Sequence, residues 1–297
     1  MSAINIDFTL LTSKGVTAFY VALYVNFGAI LDWQKIKMVL KNPIGPSLGF
    51  FCNFVFLPLL SCVLGLLLFP DNVEIRFGLF ATGISSMGVS SSLWSVILTG
   101  NVELSIIVNV LNTILAYGTT PFWLFKLGTS IVDSENFGVP YNLITQYICF
   151  SFIPLLVGIF IQYIFPRASE ISKPILLGIT FPFMIFIIIV SIMRGAHVFS
   201  MPFSDSWKFV LAGLCLPSLG YLVGWFLSRA FKLQEEDSLM VALSAINIHS
   251  VIAITLFNFI AQPQRELAVL FPISAIILSP IPVLIHFVYN KLAVKKL

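Results

Sequence analysis

Two apolar stretches of this chain, each long enough to cross a bilayer, are interrupted by polar residues that lipid cannot accommodate. The first reads Ile84-Ser85-Ser86-Met87-Gly88-Val89-Ser90-Ser91-Ser92. The second reads Leu243-Ser244-Ala245-Ile246-Asn247-Ile248-His249-Ser250. Backbone that leaves the helix at membrane depth has to be buried in protein or line a cavity, because no water is there to satisfy its N–H and C=O groups. The two stretches occupy corresponding places in the two halves of the chain. Interrupted spans paired in this way point to the midplane binding site of a secondary transporter.

Composition places the interruptions in a membrane. Of 297 residues, 58% are hydrophobic and 10% are charged, against about 25% charged in a soluble domain. Mean hydropathy is +1.00. No polar stretch is long enough to form a soluble domain. Met1 to Leu11 contains Asp7 and lacks a basic leader, so a cleaved signal peptide is not expected. The four cysteines, Cys52, Cys62, Cys149 and Cys215, all fall in apolar spans and read as small buried hydrophobes, neither disulfides nor metal ligands. The net charge of +3 carries no nucleic-acid implication; its distribution bears on orientation.

A hydropathy window predicts nine spans, near 13–31, 46–69, 76–98, 103–126, 141–165, 174–193, 206–228, 238–260 and 267–289. The connections carry helix breakers such as Asn42-Pro43, Pro70-Asp71-Asn72, Thr99-Gly100-Asn101 and Gln262-Pro263. The tight turns make spans 3 and 4, and spans 8 and 9, antiparallel neighbours. With the N-terminus outside, the inner segments hold 10 of the 16 Lys and Arg and the outer ones 6. The positive-inside rule therefore favours the N-terminus outside and the C-terminus in the cytoplasm.

Charge is nearly absent within the spans, and neutral polar groups take its place. They are Asn53 in span 2, Ser90 to Ser92 and Ser95 in span 3, Ser105, Asn109, Asn112 and Thr113 in span 4, and Ser244, Asn247, His249 and Ser250 in span 8. Ser105, Asn109 and Asn112 are spaced i, i+4, i+7 and share one helix face. Any one of these groups can serve as interhelical hydrogen-bonding glue. Their concentration in four spans, with few in spans 5 and 6, favours a lined cavity. The 29 Phe read as lipid-facing and interhelical packing. Trp33, Trp123, Trp207 and Trp225 lie near span ends, where interfacial aromatics sit, while Trp94 is beside the serine run and is placed to face a ligand.

The segment Leu31-Asp32-Trp33-Gln34-Lys35-Ile36-Lys37 resembles the basic first loop of the bile acid:sodium symporter family (solute carrier family 10), in particular of its nine-span animal members. Thr99-Gly100-Asn101-Val102-Glu103-Leu104-Ser105-Ile106 resembles the family's K-G-D-x-N-L-S-I turn, and Gly118-Thr119-Thr120-Pro121 its G-x-x-P. Val139-Pro140-Tyr141 and Ile153-Pro154-Leu155-Leu156-Val157-Gly158 resemble V-P-Y…I-P-x-x-x-G. The likeness covers about residues 15 to 290. It implies a single all-α transmembrane domain of inverted repeats. Spans 1, 5 and 6 would form a panel, and spans 2, 3, 4, 7, 8 and 9 a core, with the broken spans 3 and 8 crossing. The first helix of the first repeat would be missing.

Departures from the family pattern sharpen the expectation. Its first crossing motif, P-G-G-N-x-[ST]-N, falls on Ser86 to Ser92 and keeps Gly88 and the hydroxyl of Ser91. Its second, E-x-G-x-Q-N, falls on Ala242 to Asn247 and keeps only Asn247. The sodium-binding glutamate becomes Ala242 and the glutamine Ile246; a further glutamine becomes Asn53 and a threonine becomes Asn109. The resemblance implies a residual sodium site at Ser91, Ser105, Asn109 and Asn53, and coupling to two sodium ions is expected to be lost. His249 is a candidate for carrying a coupling proton, or it is a neutral hydrogen-bonded histidine. Asp237 reads as a helix cap together with Ser238.

The substrate expected is an amphipathic organic anion of the bile-acid or sulfated-steroid kind, in contact with Asn247, His249, Ser244, Ser92 and Asn112. No resident cofactor is expected; sodium would be a coupling ion. The partners are that anion and the lipid of, by resemblance, the plasma membrane, with nucleic acid excluded and a homo-oligomer compatible. Two alternatives stand beside the sodium-altered carrier: a proton-coupled or facilitative carrier, and a non-transporting binding or regulatory protein on the same fold. An enzyme is not expected, since no nucleophile–His–acid set, H-E-x-x-H motif or glycine-rich phosphate loop is present.

Overall fold

Runs of Leu, Ile, Phe and Val punctuated by Pro, Gly and Asn fold into helices separated by short turns. A computed structural model of the chain describes residues 18–31, 33–85, 87–98, 100–132, 141–194, 203–246, 268 and 270–294. In chain order the helices are α1 (Ala18–Ile30), α2 (Trp33–Lys41), α3 (Ile44–Leu68), α4 (Val73–Gly83) and α5 (Val89–Ile97). There follow α6 (Val102–Trp123), α7 (Tyr141–Ile164), α8 (Ala168–Arg194), α9 (Phe203–Ala230), α10 (Glu235–Ser244), α11 (Leu270–Leu278) and α12 (Pro280–Val294). Among the described residues five helical stretches are long and apolar enough to cross a membrane, and many large apolar side chains on them face outward, among them Leu67, Phe181, Phe226 and Ile285. This is an all-α integral membrane protein.

Span 3 is two half-helices, α4 and α5, as the serine run predicts. Span 8 begins as α10 and stops at Ser244; its continuation lies outside the described residues. One expectation needs correction: the basic first loop is itself a helix, α2. Span 9 runs as one apolar stretch, Leu270–Val288, with a one-residue turn at Ser279 before Pro280, which has no N–H with which to continue the ladder. Cys52 is buried as expected, whereas Cys149 is exposed.

Pro58 shapes α3 in a similar way. A proline cannot donate to the carbonyl four residues back, here Phe54, and a π turn over Cys52–Phe56 widens the helix just before it. The freed Phe54 carbonyl accepts from Trp123 Nε1 at 2.7 Å. Trp123 therefore ties α6 to α3.

Three neighbours fix the rest of the frame. α1 crosses α7 at Gly28 and Gly158, where a Cβ on either glycine would meet the other's Cα at 2.9 Å. α1 also stacks Phe19 and Tyr20 on Phe183 of α8, with ring centroids 5.5 and 5.7 Å apart. At one end of the molecule Phe69, Phe209 and Phe271 pack in a triangle with centroids 5.0 to 5.5 Å apart. At the other end Asn101 Nδ2 donates to Asp237 Oδ1 at 2.8 Å.

Candidate functional site

The first break is built by local hydrogen bonding. α4 ends at Gly83, which presses against Ser61 and the Leu57 carbonyl of α3. Ile84 is helical in φ and ψ, and the Ser85 hydroxyl donates to the Thr82 carbonyl at 2.5 Å, closing the helix end. Gly88 is then extended at φ −90°, ψ 161°, and α5 starts from it with no side-chain cap. Ser91 donates back to the Gly88 carbonyl at 2.7 Å, and Ser95 to the Ser91 carbonyl at 3.2 Å.

That register leaves Ser92 to face α6. Its Oγ accepts from Ser105 Oγ at 3.0 Å and from Asn109 Nδ2 at 3.4 Å. Asn112 Nδ2 points to the Met87 sulfur at 3.6 Å. The i, i+4, i+7 face of α6 thus lies along the break, with Ser92, Ser105, Asn109 and Asn112 all buried. Asn109 is 2% exposed, yet its Oδ1 has no hydrogen-bond partner among the described residues. A buried amide oxygen left unpaired costs free energy that a bound donor or cation recovers.

The second break repeats the backbone with different chemistry around it. α10 closes with Ser244 Oγ donating to the Val241 carbonyl at 2.7 Å, and Ala245 follows at φ −87°, ψ −8°. Asn53 donates to the Gly49 carbonyl at 2.8 Å and to Ser244 Oγ at 3.4 Å. Ala242 and Ile246, at the positions of the family's glutamate and glutamine, are 0% and 1% exposed and pack with Tyr221, Leu239, Leu243 and Val283. Among the described residues this cluster is mostly carbon, and the Tyr221 hydroxyl within it is buried without a hydrogen-bond partner.

The structure sorts the predicted residues into two groups. Ser92, Ser105 and Asn109 meet in one, with Ser91 on the same half-helix but engaged with Gly88. Asn53 and Ser244 form the other, so Asn53 bonds the second break and none of Ser91, Ser105 and Asn109. Asn247 and His249 lie outside the described residues. Trp94 packs against the apolar cluster around Leu243, its Nε1 buried without a partner among the described residues. Gln234 occupies the cap position of α10 and makes no side-chain cap bond; Asp237 sits within the first turn, and Ser238 donates to the Leu233 carbonyl. An acid there is still favoured by the positive end of the helix.

Sequence reading missed one internal repeat that positions both breaks. Leu57-Pro58-Leu59-Leu60-Ser61-Cys62-Val63-Leu64-Gly65 in α3 matches Leu216-Pro217-Ser218-Leu219-Gly220-Tyr221-Leu222-Val223-Gly224 in α9 as L-P-x-L-small-x-x-x-G. Ser61 receives Gly83 at the end of α4, and Gly220 receives Ala245 at the end of α10, where an added Cβ would meet the Ala245 oxygen at 2.8 Å. Comparing the two halves for self-similarity is the signal that finds it.

Chemically, the α5–α6 seam offers hydroxyl and amide oxygens without a formal charge. That set suits a hard monovalent cation or a polar substrate group, and holds it less tightly than a carboxylate would. Among the described residues no group of three or more His, Cys, Asp and Glu is placed to hold a metal ion.

Comparison with known proteins agrees with this architecture. Sodium/bile acid cotransporter 4 of Mus musculus is 28% identical over 226 residues, covering 74% of this chain and 50% of its own length. The P3 protein of Homo sapiens is 24% identical over 278 residues, 91% of this chain and 57% of its own. The hepatic sodium/bile acid cotransporter of Homo sapiens is 24% identical over 244 residues, 82% and 69%. The chain spans about half the length of the cotransporter 4 relatives it matches. Residues 18–201, more than half of the chain, match the sodium bile acid symporter family. With its broken span, its buried polar seam and that match, the chain belongs to the sodium bile acid symporter family.

Proposed function

We propose that the chain is a secondary carrier of amphipathic organic anions, working by alternating access and coupled to at most one sodium ion. The observation that carries this reading is the seam of Ser92, Ser105 and Asn109, with Asn109 Oδ1 buried and unpaired beside an interrupted span. The oxygens there supply one neutral cation site. Ala242 and Ile246, packed in a mostly apolar cluster, argue against a second. The names of the relatives support sodium and bile acid as the chemistry to test first.

In this reading α1, α7 and α8 form the panel and the remaining spans the core, and the core rocks against the panel. The uncapped start of α5 contributes partial positive charge toward the anionic head. The N-terminus faces outside, the C-terminus faces the cytoplasm, and the plasma membrane is the site of action.

The test is uptake of labelled taurocholate and of a sulfated steroid by cells expressing the chain, with sodium or choline, at neutral and mildly acid pH. Sodium-dependent uptake that Asn109→Leu removes at unchanged surface expression supports the proposal. Uptake indifferent to sodium and raised by acid replaces it with a proton-coupled or facilitative carrier, His249 being the group to substitute next. No uptake of either compound at full surface expression favours a binding or regulatory protein.

A further inference from the structure

Helix α2 is too short to span anything. At 1.5 Å per residue its nine residues reach about 14 Å, half of a hydrocarbon core of about 30 Å. It lies between two apolar helices, α1 and α3, so it sits where lipid meets water. Its sequence, Trp33-Gln34-Lys35-Ile36-Lys37-Met38-Val39-Leu40-Lys41, holds three lysines and no acid. Asp32 immediately precedes it, and the next acid after it is Asp71.

The helix is two-faced. Ile36 and Val39 pack inward, against clusters that include Leu31, Ile106 and Leu104. Gln34, Lys37, Met38 and Lys41, spaced i, i+3, i+4, i+7, form the exposed face. Met38 is 60% exposed in the middle of it, an apolar side chain between two cations. The three lysines outnumber the two acids beside them, Asp32 just before the helix and Glu103 in the first turn of the neighbouring α6. Lysines flanking an outward apolar side chain, on a helix lying at the boundary, are the pattern that binds an anionic membrane surface.

We infer that α2 is a docking surface for anionic phospholipid headgroups, with Lys37 and Lys41 of its exposed face engaging phosphate and Met38 entering the acyl boundary. This rests on the membrane setting and is independent of the transport reading. α2 packs on α6 close to Ser105, so lipid bound there bears on the helix that carries the polar seam.

The full chain, purified into mixed micelles of phosphatidylserine and phosphatidylcholine at about 0.15 M salt, is examined by native mass spectrometry for the lipid it retains. The expected result is enrichment of phosphatidylserine by about five-fold for each lysine engaged. Lys37→Gln and Lys41→Gln together should bring the ratio close to parity, while the same two Lys→Arg changes keep it. Equal enrichment in the wild type and the glutamine variant overturns the inference, as does no enrichment in the wild type. Loss of enrichment in the arginine variant, or its removal by millimolar inorganic phosphate, also overturns it; the latter would assign a free-phosphate site in place of a lipid surface.

Discussion

α4 and α10 end in nearly the same geometry, Ile84 at φ −84°, ψ −7° and Ala245 at φ −87°, ψ −8°. Each end is received by the same position of an L-P-x-L-small-x-x-x-G repeat, Ser61 in α3 and Gly220 in α9. What surrounds them differs. Beside the first break, α5 and α6 bring Ser92, Ser105 and Asn109 together. Beside the second, Asn53 and Ser244 make one long hydrogen bond, and Ala242 and Ile246 pack in a mostly apolar cluster whose one hydroxyl, that of Tyr221, is buried without a partner among the described residues. The helix end repeats while the side chains around it do not: hydroxyls and an amide meet beside the first, and a mostly apolar cluster packs beside the second. Under the proposed function, only the first half keeps the chemistry of an ion site.

The comparison breaks most readily where a charge is returned to the second half. Ala242→Glu puts a carboxylate among Tyr221, Leu239, Leu243 and Val283. An uncompensated buried charge of this kind costs about 3–5 kcal/mol. Thermal unfolding of the purified chain in choline buffer should show the loss, and sodium should restore part of it if the backbone still has the shape of a cation site. An unchanged melting temperature would mean that Ala242 is not packed in an apolar cluster.

Next in size are the docking contacts of the two half-helices. Gly83→Ala and Gly220→Ala each force a Cβ into backbone or a fixed side chain, at about 1–3 kcal/mol. Similar losses in melting temperature for both would show that the repeat acts alike in the two halves. A tolerated Gly220→Ala beside a damaging Gly83→Ala would break the symmetry.

Smaller effects follow from single hydrogen bonds. Trp123→Phe leaves the Phe54 carbonyl without its 2.7 Å donor and should cost about 1 kcal/mol. The same unfolding assay reads it, and no shift would mean that Phe54 finds another partner. Smallest is Ser244→Ala, which removes a 3.4 Å bond to Asn53; about 0.6 kcal/mol or less is expected, with uptake nearly intact. Ser92→Ala, by contrast, should weaken cation dependence of uptake severalfold, since Ser92 is shared by Ser105 and Asn109. Equal effects of the two serine changes on uptake would erase the difference between the halves.

Much of this could be read from residue order. Polar runs inside apolar spans announced both helix ends, and the i, i+4, i+7 spacing put Ser105, Asn109 and Asn112 on one face. Family likeness pointed to Ser91, but the helix register decides between neighbouring serines. Once α5 starts at Val89, Ser91 turns back to donate to the Gly88 carbonyl and Ser92 reaches α6. Asn53 lies on α3, whose π turn rotates the face it presents, and sequence spacing does not reveal such a turn. A nine-residue basic helix is shorter than a hydropathy window, which is why α2 reads as a loop. Asp237 was legible as an acid at a helix start, but its partner, Asn101, is 136 residues away.

The central claim of the proposed function is that one half of the chain binds a cation and the other does not. The measurement that tests it most directly is the sodium dependence of initial uptake rate in membrane vesicles, in the wild type and in Asn109→Leu. The account predicts a hyperbolic dependence with a Hill coefficient of about 1, abolished by Asn109→Leu. A sigmoidal dependence with a coefficient approaching about 2, or sodium activation that survives Asn109→Leu, would contradict it.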